Sequence, residues 1–264
     1  MAEWTRRGLR GYSEAAAHDE MEEVESSVVA GASSVAPTVL SLLRAPEFRP
    51  ALVCIVVLQV AQQLSGINAV FFYSTSFYQD AHVSNANYGT LATGAVNVVA
   101  TLLGVALIDR TGRKPLLMWG ATGMFCSAMA LTVVMVMKDQ GAGNAEALGI
   151  VSIIFVLLFV SFFELGLGAI PWLIGGEVLP EGPRATGMSI GATVNWIFTT
   201  VVALFYPTVQ TAISAYSFVP FCVFLLASIA YFYFALPEAK GRSPADIQRW
   251  FRNSYATPLL DTYA

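Results

Sequence analysis

Charge is scarce in this sequence. Asp, Glu, Lys and Arg make up 12% of its 264 residues, roughly half of the ~25% found in soluble domains. So few ionic side chains cannot cover a water-facing surface, and a chain of this composition is expected to lie in a bilayer. No run of basic residues forms a patch, which argues against a nucleic-acid partner. Cysteine and histidine are equally sparse. Cys54, Cys126 and Cys222 all lie inside apolar runs. An odd number in such surroundings is neither a disulfide framework nor a metal site, and small apolar packing residues fit better. His18 and His82 lie outside the apolar runs and form no cluster, so no metal or other cofactor is expected. The opening "MAEWTRRGLRGYSEAAAHDEMEEVESS" is polar and acidic, without the apolar centre of a signal peptide. It is expected to be exposed to water and partly helical.

What the sequence does have is apolar length: 56% of the residues are hydrophobic and the mean hydropathy is +0.61. Six runs, at 50–75, 87–108, 115–137, 149–173, 187–209 and 216–236, come close to or exceed the ~20 residues needed to cross a bilayer. The runs are continuous rather than alternating, which selects helices over barrel strands. The expected fold is an all-α integral membrane protein with six transmembrane helices over 50–236, flanked by segments 1–49 and 237–264. Thirteen of the fourteen Lys and Arg residues fall before the first run, after the sixth, or in the second–third and fourth–fifth connections; only Lys138 is on the other side. Basic residues favour the cytoplasmic side, so both termini are expected there, as an even number of spans requires. Trp119 and the "YFYF" at 231–234 fall near the same interface, where amphipathic rings are favoured.

Polar residues interrupt the spans. In the first, "QQLSGIN" places Gln59, Gln62, Gln63 and Gly66 on one helical face. An unpaired amide is costly in hydrocarbon, so this face should look into protein or a watery cavity. Asn68 lies about 140° from Gln63 on a regular helix. The Ser65–Gly66 pair is where the helix can bend or unwind, and broken helices are how many transporters build a substrate site. The competing reading is structural: the amides bond neighbouring helices. Thr90, Gly94, Asn97, Thr101 and Gly104 share a face of the second span; Gly187, Gly191, Asn195 and Thr199 share one of the fifth, where Gly187 and Gly191 favour close packing. Glu164 is the one acid well inside a span, and it aligns with Gly168 and Trp172 on the fourth. It either contacts a ligand or latches to another helix. Pro171 removes a backbone hydrogen bond beside Trp172 and can kink that helix. "DRTGRKP" (109–115) and "EVLPEGPR" (177–184) supply Asp109, Arg113, Glu177 and Arg184 on one side of the membrane. They fit either a charge lock between helix ends or topology control alone.

These motifs resemble the sugar porter family of the major facilitator superfamily. "QQLSGINAVFFYST" is similar to the family's seventh-helix signature, and "DRTGRKP" to its D/E-R-x-G-R-R loop. "PW" at 171–172, "EVLPEGPRATG", "NW" at 195–196 and "LPEAKGRS" at 236–243 follow in family order, and "LRGYSEAAAHDEMEEV" looks like the central cytoplasmic loop. The resemblance covers the C-terminal half of a member. It implies one six-helix half, itself a three-plus-three inverted repeat, of a twelve-helix fold. It also implies a sugar site including Gln62, Gln63, Asn68, Asn97, Glu164, Trp172 and Asn195, and a cytoplasmic gate of Asp109, Arg113, Glu177 and Arg184. Amides suit a sugar, which has many hydroxyls and no charge. Four positions depart from the pattern: Leu167 and Ala169 replace prolines of a G-P-x-P-x-P-W helix, Lys114 replaces a second arginine, and Ala239 stands where threonine is usual.

The resemblance implies transport of a hexose-like monosaccharide by alternating access, without covalent chemistry and therefore not as an enzyme. Uniport and proton symport are both left open. The partners implied are the sugar, membrane lipid, and a second half from a missing N-terminal segment, a separate chain or a second copy. The plasma membrane is the family default, with a vacuolar or other internal membrane as the alternative. The rival readings are a membrane-embedded sugar sensor or regulator and a non-transporting half-length paralogue.

Overall fold

The computed structural model describes residues 37–80, 86–243, 245–247 and 249–251. Expectations for the N-terminal segment before residue 37, for His82 and for the tail beyond Phe251 lie outside the described residues. The described residues are built largely of helices. A short α1 (Val39–Arg44) and a single 3₁₀ turn (Pro46–Phe48) lead into α2 (Arg49–Leu64) and α3 (Ile67–Asp80). Then come α4 (Ala86–Thr111), α5 (Arg113–Asp139) and α6 (Ala145–Phe163). A π-helical turn (Glu164–Gly168) joins α6 to α7 (Ile170–Glu177). α8 (Glu181–Ile213), a 3₁₀ turn (Ser214–Tyr216) and α9 (Val219–Ala235) complete the series.

Local signals set several of the starts. Thr38 Oγ1 accepts from the Ser41 amide at α1, and Asn144 Oδ1 accepts from the Glu146 amide, 2.9 Å away, at α6. Prolines occupy the first turn of α2 and α9, where a missing N–H costs no helical bond. Among the described residues, five helical stretches are long and apolar enough to cross a membrane: Pro46–Tyr73, Asn87–Thr111, Arg113–Asp139, Ala145–Glu177 and Glu181–Tyr216. They match the first five runs read from the sequence. The sixth, α9, is apolar but has only 17 residues, about 26 Å at 1.5 Å per residue.

Small residues set the distances between helices. α5 lies against both α6 and α9. A Cβ on Gly120 would come within 2.7 Å of the Gly166 Cα, and one on Gly123 within 2.3 Å of the Phe162 ring. α8 crosses α2 at the expected glycine pair, where a Cβ on Gly187 would meet Leu179 at 2.2 Å and one on Gly191 would meet Ile55 at 2.6 Å. α4 approaches the π turn at Gly104, whose Cβ would lie 2.9 Å from the Glu164 carbonyl. Large side chains such as Ile55, Leu58, Leu117, Met124, Leu131 and Leu167 fill the interior between these contacts.

Two spans are broken. The first breaks at Ser65–Gly66, as "QQLSGIN" suggests. Gly66 has φ +93, a left-handed conformation that side chains resist. Ser65 Oγ donates to the Gln62 carbonyl at 2.6 Å and serves a group that the interrupted helix leaves behind. Phe221 of α9 closes over the break, so that a Cβ on Gly66 would sit 2.6 Å from its ring. The fourth span breaks at the π turn just ahead of Pro171. Gly66→Ala should therefore destabilise the bundle by about 1–3 kcal/mol, from backbone strain plus the ring clash. Thermal unfolding in detergent should show this, with Phe221→Ala restoring only the part due to the clash. A variant as stable as the parent would contradict the assigned backbone.

Candidate functional site

Pro171 has no N–H. In an α-helix its amide would serve the carbonyl of Leu167, four residues earlier. That carbonyl is instead taken by another helix: Gln62 Nε2 of α2 donates to Leu167 O at 2.6 Å and to Gly168 O at 2.7 Å. The two broken spans are thus tied together at their breaks. Glu164 begins the same π turn, so the turn carries the one intramembrane acid as well as the captured carbonyls.

Behind Gln62 the amides form one network. Asn195 of α8 donates through Nδ2 to Gln59 Oε1 at 2.7 Å and to Gln62 Oε1 at 2.6 Å. Its Oδ1 accepts from Gln63 Nε2 at 2.9 Å. Gln63 Oε1 in turn accepts from Asn68 Nδ2, which also lies 3.5 Å from Thr199 Oγ1. The helix break brings Asn68 to Gln63 despite the angle that separates them on a regular helix. Gln59, Gln62, Gln63 and Asn195 are buried, with Gln62 and Asn195 each 4% exposed, whereas Asn68 is only half-buried. The glutamines bond neighbouring helices in this arrangement, and Asn68 is the member of the network that reaches its edge.

A second network surrounds Glu164. Oε1 accepts from Asn97 Nδ2 and Oε2 accepts from the Thr101 hydroxyl, 2.9 Å away. Both donors lie on α4, on the polar stripe read from the sequence, so the carboxylate latches the π turn to that helix. Gly94, one turn before Asn97, faces open space. Trp172 is half-buried on α7, eight residues after Glu164, and its indole N–H has no hydrogen-bond partner among the described residues.

At the end of the bundle that carries the basic loops, Arg113 grips Glu177. Nη2 and Nε lie 2.8 and 3.2 Å from Glu177 Oε1. Glu177 Oε2 is buried without a partner among the described residues. The other two expected gate residues stand apart from this pair. Asp109 is exposed, and Arg184 donates through Nε to the Leu179 carbonyl at 3.2 Å. Sequence reasoning gave Glu238 no role, yet it organises this end. Its carboxylate accepts from the Arg113 and Lys114 amides at 3.0 and 3.1 Å, at the N-terminus of α5. Gly112, at φ +99, leaves room for it. An acid in the "PEAKG" segment and a glycine before a basic helix start were the available signals. Lys114 bonds the Tyr233 and Leu236 carbonyls at 2.8 and 2.9 Å, so in place of a second arginine it ties α5 to the end of α9.

Removing the Gln62 amide leaves two carbonyls without their donor. Gln62→Leu should cost about 2–5 kcal/mol of stability, since each buried unpaired acceptor carries a penalty of about 1–3 kcal/mol. Asn68→Leu, at the half-buried edge, should cost less than half as much. Unfolding of both variants in detergent checks the ranking, and equal losses would contradict the central place given to Gln62.

Known proteins are similar to this chain. A family model described as "Sugar (and other) transporter" matches residues 3–251. The facilitated glucose transporter member 3 of solute carrier family 2 from Oryctolagus cuniculus is 40% identical over 237 residues, 90% of this chain and 47% of the relative. The Homo sapiens member 3 is 41% identical over 215 residues, 81% of this chain and 42% of the relative. The chain thus spans about half the length of the curated relatives it matches. Among solved structures, the proton:xylose symporter XylE bound to 6-bromo-6-deoxy-D-glucose superposes with a TM-score of 0.72 at 22% identity, covering 95% of this chain and 51% of that one. An inward-open xylose transporter XylE from E. coli gives 0.67 at 22%, covering 94% and 49%. These structural likenesses establish the fold, half of a major facilitator bundle. With the family match across almost the whole sequence, the chain belongs to the sugar (and other) transporter family and is an integral membrane protein.

Proposed function

We propose that this chain forms one wall of a transport path for a neutral, hexose-like monosaccharide and moves it by alternating access with a second six-helix half. The observation that carries the reading is the concentration of uncharged amides at two helix breaks inside otherwise apolar spans. Amides both donate and accept, and they tolerate partial desolvation better than charges. Asn68, Asn97 and Trp172 are the residues assigned to the sugar: each is only half-buried, and Trp172 offers an apolar ring face to a pyranose. Glu164 holds Asn97 in place. Gln62, Gln63 and Asn195 support Asn68 from behind and join the site as the helices rearrange. The related facilitated glucose transporters and the xylose symporter support a sugar as the cargo.

The Arg113–Glu177 pair is assigned to a cytoplasmic gate. It couples the start of α5 to the end of α7, and Glu177 Oε2 is left to accept from a further cation as the halves move, with Arg184 and Asp109 nearby in sequence. We assign both termini to the cytoplasm, the side that the Lys and Arg residues favour, and the chain to the plasma membrane. A second reading is a sugar-binding regulator that does not transport.

Labelled hexose uptake into cells that lack their own hexose carriers tests the reading, with the chain expressed in its native assembly. Asn68→Ala and Trp172→Ala should each cut uptake about tenfold or more at unchanged surface abundance, the equivalent of about 1.4 kcal/mol. Parental uptake by both variants would overturn the assigned site. Sugar binding without uptake by the parent would select the regulator.

A further inference from the structure

Where α4 ends, α5 begins and α9 ends, positive charge gathers that the protein does not neutralise. The acids of this corner are largely engaged. Glu177 is held by Arg113. The Glu238 carboxylate accepts from the Arg113 and Lys114 amides and, at 2.9 Å, from the Lys240 amide. Asp246 is bonded by Ser243 and paired with Arg249. Asp109, in the last turn of α4, is exposed without a partner among the described residues.

The cations are brought together by the backbone. Lys240 Nζ donates to the Arg110 carbonyl at 2.7 Å, where the end of a helix leaves carbonyls unpaired and favours a positive charge. That bond sets the Lys240 ammonium beside Arg110, a residue 130 positions away in the chain. Gly241, at φ +69, turns the chain, and the Arg242 amide donates back to the Ala239 carbonyl at 3.2 Å, so Arg242 stays within one turn of Lys240. The guanidinium groups of Arg110 and Arg242 are exposed and have no hydrogen-bond or ion-pair partner among the described residues. Lys114, on the Tyr233 and Leu236 carbonyls, adds a further positive charge between α5 and α9. Membrane topology alone favours basic residues at this end, but it requires only their number in the loops. It does not require the tail to fold back and set Lys240 and Arg242 against the end of α4. Like charges held together repel, and an anion between them relieves the repulsion.

Aromatic rings fix the depth of the corner. Tyr233 and Phe234, at the end of α9, are 62% and 80% exposed, with ring centroids 4.9 Å apart. Lys114 Nζ bonds the carbonyl of Tyr233 itself, so rings and cations adjoin. Trp119, five residues into α5 from Lys114 and about 7.5 Å further along the helix axis, is 69% exposed. Uncovered aromatic rings at span ends lie at the level of the lipid headgroups. The cations beside them are therefore at the level of the phosphates.

We propose that this corner binds the phosphate of an anionic membrane lipid, with Arg110, Lys240 and Arg242 around the headgroup and the Tyr233 and Phe234 rings against its glycerol and upper acyl chains. The bound lipid steadies the tail turn whose Glu238 caps α5 next to Arg113. The proposal does not rest on the sugar reading.

The test uses the chain in its native assembly, purified in detergent and titrated with phosphatidylserine, phosphatidylcholine, glycerophosphoserine and inorganic phosphate, with thermal unfolding as the readout. Phosphatidylserine should stabilise at a half-saturating concentration at least about tenfold below that of phosphatidylcholine, since each cation near a membrane surface contributes about fivefold. The two soluble anions should shift nothing over the same range. In the double variant Arg110→Gln, Arg242→Gln the preference should fall to about twofold, with the stability in phosphatidylcholine unchanged because neither guanidinium has a partner to lose. Arg44→Gln, which removes an exposed cation of α1, should keep the preference. Equal effects of the two lipids on the parent, a preference undiminished in the double variant, or an equal loss in Arg44→Gln would each overturn the proposal. Stabilisation by inorganic phosphate or glycerophosphoserine as strong as that by phosphatidylserine would overturn it too, since the corner would then take a soluble anion. Should the double variant unfold early, a photoactivatable phosphatidylserine decides: it should label the parent within 110–119 or 233–242, and labelling confined to other segments contradicts the site.

Discussion

The contact on which the rest depends is the one between a side-chain amide on α2 and the backbone carbonyls of the π turn. A proline inside a membrane span leaves a carbonyl with no helical partner, and in hydrocarbon there is no water to replace it. Such a group costs several kcal/mol. Here Gln62 Nε2 supplies the replacement for Leu167 O and serves Gly168 O as well. One amide therefore makes the fourth span's break tolerable. It also fixes how α2 lies against α7 and sets the orientation of every amide behind it.

Several features follow from that contact. The first span can break at Gly66 because the network beyond it holds Asn68 to Gln63 and Thr199. α8 comes close to α2 because Gly187 and Gly191 carry no side chain, and this lets Asn195 reach three glutamines. Glu164 need not stand alone as a charge in the membrane, since Asn97 and Thr101 donate to both its oxygens. Buried amides hold the broken helices, and half-buried asparagines stand at the edges of the same networks. At the other end, Glu238 and the Arg113–Glu177 pair perform a similar office for α5 and α7, with charge in place of amides.

Much of this was legible in the sequence. Five spans and a shorter sixth follow from apolar length, and the break at Ser65–Gly66 follows from a glycine amid amides. The polar stripe on α4 and the glycine pair on α8 follow from helical spacing. What could not be read was which group each amide would meet, because partners more than a hundred residues apart are set by packing rather than by local pattern. Gln62 reads in the sequence as either a ligand group or a bond between helices, and the burial of Gln62 and Asn195 follows from packing alone. The π turn was hidden as well: Pro171 announces a missing hydrogen bond, but not that the turn ahead of it would widen and offer Glu164 to α4. Arg184 and Asp109 share a charge pattern with Arg113 and Glu177, yet here they stand apart from that pair.

The most direct measurement is a double-mutant cycle on stability between Pro171→Ala and Gln62→Leu, by unfolding in detergent. Alanine at 171 restores the N–H that Leu167 O lacks. If Gln62 exists to satisfy that carbonyl, its loss should be milder in the alanine background, with a coupling of about 1–2 kcal/mol. Strictly additive effects would contradict the account, since the glutamine would then be serving something other than the gap that the proline opens.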